Sequence, residues 1–138
     1  MSNSSIVNKG ISMCFIKMAK IDGSVAEEEL KSIKSSKIYN KYKHGNIKDL
    51  DSKGFFQKFH SEYGPAISKA LKEKEKENLI TDLINVIKAD DDIHKHEYFL
   101  LGHIGNCIGL DSKKIVNIIE LENKGSKKST GWLAWLFG

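Results

Sequence analysis

The chain has 138 residues, 40% of them hydrophobic and 29% charged, with a single proline and 11 glycines. That describes one ordinary domain able to bury a core, and it excludes collagen-like, proline-rich and low-complexity architectures. No run approaches the roughly 20 apolar residues of a membrane-spanning helix, and the polar opening Met1–Lys9 lacks the apolar stretch of a secretory signal, so a cytoplasmic location is expected. The net charge of +4 comes from 22 basic residues that are all lysine. Arginine's planar fork is the usual reader of guanine edges and phosphate pairs, so its absence argues against a sequence-specific nucleic-acid binder. Cys14 and Cys107 stand in apolar company and fit buried free thiols better than a disulfide framework or a zinc knuckle.

Val7, Ile11, Phe15 and Met18 recur at three- and four-residue steps, which predicts a first helix, with Ile21 at its far end. Asp22-Gly23 is a turn signal, and Ser24 followed by Glu27 has capping-box spacing, so a second helix is expected from there. Ala26, Leu30, Ile33 and Ile38 supply its apolar stripe, while Glu27, Glu28 and Glu29 crowd a first turn where the helix dipole favours negative charge. Lys31 to Lys48 holds six lysines and no acid, with Tyr39 and Tyr42 among them. It reads as a solvated face and loop, the alternative being contact with phosphate or a membrane surface.

Phe55, Phe56 and Phe59 predict a short aromatic helix stopped by Gly64-Pro65. Pro65 then suits the first turn of a long helix to about Ala89, with Ile67, Leu71, Leu79, Leu83, Ile84 and Ile87 inward. A further helix carries Phe99, Leu100, His103, Ile104 and Cys107 and ends at Gly109. Asp111 and Ser112 are placed to cap a last one containing Ile115, Ile118, Ile119 and Leu121. No alternating strand pattern appears, and the fold class is all-α, a compact helical bundle.

The segment Asp22-Gly23-Ser24-Val25-Ala26-Glu27-Glu28-Glu29-Leu30 echoes Asp90-Asp91-Asp92-Ile93-His94-Lys95-His96-Glu97-Tyr98 at an offset of 68 positions. In both, an aspartate precedes a glutamate by seven residues and an apolar residue follows the aspartate by three. The pattern predicts two pseudo-repeated units of helix, acidic turn and helix. Packed face to face, they would converge the carboxylates of Asp22, Glu29, Asp90 and Glu97. Such oxygen clusters suit calcium or magnesium, and imidazole from His94 or His96 widens the choice to zinc or manganese. The competing reading is that turn aspartates and first-turn glutamates serve only capping and the helix dipole. An EF-hand is rejected because the second acidic run lacks the glycine and the terminal bidentate acid of that loop. No nucleophile, base and orienting group, and no phosphate loop or dinucleotide fingerprint, is recognisable.

Met18-Ala19-Lys20-Ile21-Asp22-Gly23-Ser24-Val25-Ala26-Glu27-Glu28-Glu29-Leu30, and later Lys88-Ala89-Asp90-Asp91-Asp92-Ile93 with Glu97, resemble the two signature segments of the TerB-like tellurite-resistance family. Ile108-Gly109-Leu110-Asp111 is similar to its end. The resemblance covers most of the chain from Ile6 to about Glu122, with the lysine-rich middle poorly matched. It implies an all-helical, pseudo-twofold domain of bacterial and phage stress-response settings, non-enzymatic, with acidic residues proposed to bind metal. Carried over, these are Asp22, Glu29, Asp90 and Glu97. Asp91 departs from the pattern, standing where the family commonly has glycine.

The organisation expected is a TerB-like helical domain over 1–122, a lysine-rich flexible linker over 123–131 and a Trp-rich apolar tail over 132–138. Trp132, Leu133, Trp135, Leu136 and Phe137 are too few to hold a helix alone and need a surface, whether the chain's own domain, a protein groove or a membrane interface beside Lys124, Lys127 and Lys128. The function expected is a non-catalytic stress-response domain binding a divalent metal ion, without organic cofactor, whose tail contacts a protein or membrane surface and leaves it peripheral to the membrane in the second case. The alternative is an interaction or membrane-recruitment module without metal.

Overall fold

The computed structural model describes residues 3–20, 27–42, 54–89 and 95–122, and every element among them is helical. The first helix, α1 (Asn3–Lys20), is buried around nearly its whole circumference from Gly10 to Ala19, with Met13, Cys14 and Ile16 as enclosed as Ile11, Phe15 and Met18. A helix apolar on all sides belongs in the middle of a bundle. It packs against α6 (Glu73–Ala89), whose Leu79, Ile80, Leu83, Ile84, Val86 and Ile87 are all fully buried. Each such side chain contributes about 1.5–3 kcal/mol of burial, so this central pair anchors the domain.

Around the pair lie α2 (Glu27–Ser35) and α3 (Lys37–Lys41), which run along α6. Ile38 does not extend the stripe of the second helix as expected, because Ser36 takes an extended conformation (φ −70°, ψ 125°) and caps α3 by accepting the Tyr39 N–H at 3.0 Å. In the described part of the lysine-rich stretch Lys31, Lys34, Lys37 and Lys41 are exposed, as a solvated face requires, but the segment is helical and not a loop, and its tyrosines are not in water. Tyr39 is buried edge-on against Phe15 with ring centroids 5.4 Å apart, and Tyr42 donates to Glu75 at 2.8 Å, beside Lys41 Nζ on the same oxygen at 2.8 Å. Both tyrosines are thereby committed to the fold.

The aromatic helix also differs from expectation. α4 (Phe55–Lys58) runs through a π-turn (Phe59–Tyr63) into α5 (Gly64–Ala70) without stopping at Gly64-Pro65. The Gly64 N–H donates to the Phe59 carbonyl across this wider turn, so the missing N–H of Pro65 falls where the ladder changes spacing and breaks no regular helix. Phe55 and Phe59 stack inward at 5.0 Å, while Phe56 is exposed. The long helix expected from Pro65 to Ala89 is two helices. Leu71 is extended (φ −94°, ψ 140°) with its side chain buried, and α6 restarts at Glu73 with Glu73 and Glu75 in the first turn. Between Leu71 and Leu79 no apolar side chain exists to hold a helix on the core, which is why the chain turns there.

α7 (Lys95–Cys107) ends as expected at Gly109, whose φ of 93° requires glycine. Leu110 N–H reaches the Gly105 carbonyl at 2.9 Å and Gly109 N–H that of Asn106 at 3.1 Å, the paired bonds of a Schellman end. Asp111 then caps α8 (Ser112–Glu122) by accepting the Lys113 N–H at 3.2 Å, and Ile115, Ile118 and Ile119 face inward. Leu121 and Phe99, expected on inward faces, are exposed instead. No helix among the described residues is long and apolar enough to cross a membrane.

Candidate functional site

Glu29 is the third residue of α2 and Glu97 the third residue of α7, so the two glutamates of the sequence echo occupy the same helical position. Both are 2% exposed, and they are the buried acidic side chains among the described residues. Glu27 and Glu28, in the same first turn as Glu29, face solvent. Capping and the helix dipole account for acids in a first turn, but these forces act equally well on an exposed side chain. They give no reason for Glu29 alone of the three to be enclosed. Burying a carboxylate is costly unless its surroundings compensate the charge, and neither glutamate is without a partner.

The placement of Glu29 follows from two contacts further along. Ser36 Oγ donates to Asp82 Oδ2 at 2.6 Å, and Tyr42 and Lys41 meet Glu75 at 2.8 Å. As the first chain segment advances from 36 to 42, its partner on α6 retreats from 82 to 75, so α2–α3 runs antiparallel to α6. Carrying that register back by the seven residues from Ser36 to Glu29, about 10 Å of helix, brings Glu29 level with the last turn of α6. The chain leaves that turn for the second acidic segment and enters α7, where Glu97 sits. α2 also packs along α6, so this register points the first half's buried carboxylate toward the end of α6, from which the chain continues into the second acidic segment.

Asp22 and Asp90, with Ser24, Asp91 and His94, lie outside the described residues, as do the linker 123–131 and the tail residues Trp132, Leu133, Trp135, Leu136 and Phe137. Among the described residues no three His, Cys, Asp or Glu side chains form a metal-holding group. The donors described are two of the four carboxylates, and an all-carboxylate set is the chemistry of hard, oxygen-seeking cations.

A second cluster escaped the sequence reading. His103 lies on α7 with its ring 5.0 Å from that of Phe56 and 6.5 Å from that of Phe59, and its Nε2 is 3.7 Å from the Cys107 sulfur one turn on. Burial lowers the His103 pKa, a hydrogen bond with the Phe56 main chain opposes that, and His60 adds to the lowering. Burial raises Cys107, the reverse of what a nucleophilic thiol needs, and raises the enclosed Cys14 further. Both thiols are free, Cys14 buried as expected and Cys107 only partly so. The i, i+4 spacing of His103 and Cys107 was visible in the sequence, but nothing there placed Phe56 against it. A groove of about 420 Å³ along Ser61, Glu62, Pro65, Ala66, Lys69 and Ala70 is open and brings together no acid–base set beyond Glu62 and Lys69.

No curated protein and no solved structure matches the chain. The protein-family model described as Tellurite resistance protein TerB matches residues 9–119, from within α1 to the penultimate turn of α8 and across both glutamates. The chain therefore belongs to the tellurite resistance protein TerB family.

Proposed function

We propose that this domain binds a divalent cation through the carboxylates of Asp22, Glu29, Asp90 and Glu97, acts in a stress response without catalysing a reaction, and uses its tail as a contact segment. The observation that carries the cation site is the burial of Glu29 and Glu97 at matched helical positions while their exposed neighbours Glu27 and Glu28 stay in water. A cation held by these carboxylates would offset the cost of enclosing Glu29 and Glu97, and it would couple binding to the packing of the helices that supply them. Calcium and magnesium suit an oxygen set best; manganese and zinc follow where imidazole joins. The elevated Cys107 thiol beside His103 supports the non-catalytic part of the reading.

The test is the metal content of the protein purified without chelator and dialysed against each cation in turn. Retention of calcium, magnesium, manganese or zinc, lost in Glu29→Gln with Glu97→Gln, supports the reading. Retention of none overturns it.

A further inference from the structure

Among the described residues, one aromatic face is exposed. Phe99 on α7 is 58% exposed and Phe56 on α4 is 42% exposed. His103 bridges them: it stands one helical turn after Phe99, and its ring is 5.0 Å from that of Phe56. Lys17 Nζ lies 5.7 Å from the centroid of the Phe56 ring, which puts a cation at the margin of the face. We propose that the occupant of this face is the chain's own segment Trp132-Leu133-Ala134-Trp135-Leu136-Phe137, docked across Phe56, His103 and Phe99.

The last described residue, Glu122, lies at the same end of the bundle as the start of α7. α7 and α8 are joined only by residues 108–111 and pack on each other, so α8 returns toward the start of α7, where Phe99 lies. Lys88, at the end of α6, donates to the Glu122 carbonyl, and α6 leads through five residues into α7. The nine residues 123–131 then span up to about 30 Å when extended, about twice the length of α8, which at 11 residues covers roughly 16 Å. A tether of that length holds the tail at an effective concentration on the order of mM, so a face of modest intrinsic affinity suffices.

The chemistry matches as well. The segment 132–138 carries no charged side chain, so it buries against aromatic rings without desolvating one. Its two indoles are the strongest aromatic acceptors for an ammonium, and Lys17 already stands at the edge of the face. This inference rests on the tail being a contact segment and names its partner; it is independent of the cation site.

Trp132 and Trp135 are the protein's two tryptophans, so intrinsic fluorescence reports on the tail alone. The expected result for the full chain is emission blue-shifted from that of the free peptide 129–138 and unchanged on hundredfold dilution. In Phe99→Ser with Phe56→Ser the maximum moves to that of the peptide and acrylamide quenching rises, with helical circular dichroism retained. Phe99→Ser alone, at the more exposed site, gives a smaller shift in the same direction and serves if the double variant loses helix. Emission already matching the peptide, a blue shift left undiminished by Phe99→Ser, or one that disappears on dilution, the mark of a second copy as occupant, overturns the proposal.

Discussion

Ser36 and Asp82 meet at 2.6 Å through a hydroxyl that also accepts the Tyr39 N–H at 3.0 Å, so one buried side chain caps α3 and fastens it to α6. Ser36→Ala removes the cap and leaves Asp82 without this donor. A lost cap costs about 1 kcal/mol and a lost hydrogen bond to a charged group about 1.5–3 kcal/mol. We expect a total of about 2.5–4 kcal/mol, read as a lower urea midpoint at unchanged slope. Ser36→Thr, which keeps the hydroxyl, retains most of the stability.

At Gly64 the end of α7 passes too close to leave room for a side chain. A Cβ added there would stand 2.7 Å from the Phe59 carbonyl oxygen, 2.8 Å from Cys107 Cβ and 3.0 Å from the Cys107 carbonyl oxygen. Two of the three are main-chain atoms and cannot swing aside. Gly64→Ala therefore costs about 1–3 kcal/mol by overpacking, against a few tenths for a neutral surface change. Chemical denaturation checks it, and a variant as stable as the parent would show that α5 and α7 separate easily.

His103 makes stability depend on pH. Its folded pKa lies below the ordinary imidazole value because burial disfavours the cation, with His60 adding to that effect and the hydrogen bond with the Phe56 main chain opposing it. Below about 6.5, where an unperturbed imidazole protonates, the unfolded chain binds this proton more readily than the folded one. The contribution is therefore fully present above that pH and is lost as pH falls toward the folded pKa. Urea melts between about pH 7.5 and 5.5 should show declining stability, and His103→Asn, which does not titrate, should flatten the decline. An unchanged slope in that variant would assign the pH dependence to other groups.

A bound cation stabilises the folded state by mass action. At a hundredfold excess over Kd the gain is about 2.7 kcal/mol, seen as a higher melting temperature. Glu29→Gln or Glu97→Gln should remove the gain even where the variant alone melts like the parent. A gain that persists in both variants would place the cation elsewhere.

The helical class and most helix ends were legible because they are local. The three- and four-residue steps of α1, the Gly109 stop and the Asp111 cap each depend on residues within a turn or two. What escaped depends on distant partners. Ser36 breaks a helix because Asp82, far away in sequence, receives its hydroxyl, and Gly64-Pro65 passes through a helix because a π-turn precedes it. Phe99 and Leu121 have the spacing of core residues yet face outward, a choice that the packing of whole helices makes and local periodicity does not. At the candidate site, spacing singled out Glu29 and Glu97, yet it could not tell them from Glu27 and Glu28 by enclosure, which depends on how the helices pack and not on position within a turn.

Isothermal titration of the full chain with calcium, magnesium, manganese and zinc, repeated on the Asp22→Asn, Asp90→Asn double variant, tests the cation site most directly. A saturable heat with at least one of the four, abolished in the double variant while its helical content is kept, is the result predicted. No heat with any cation, or an isotherm the two substitutions leave intact, would contradict it.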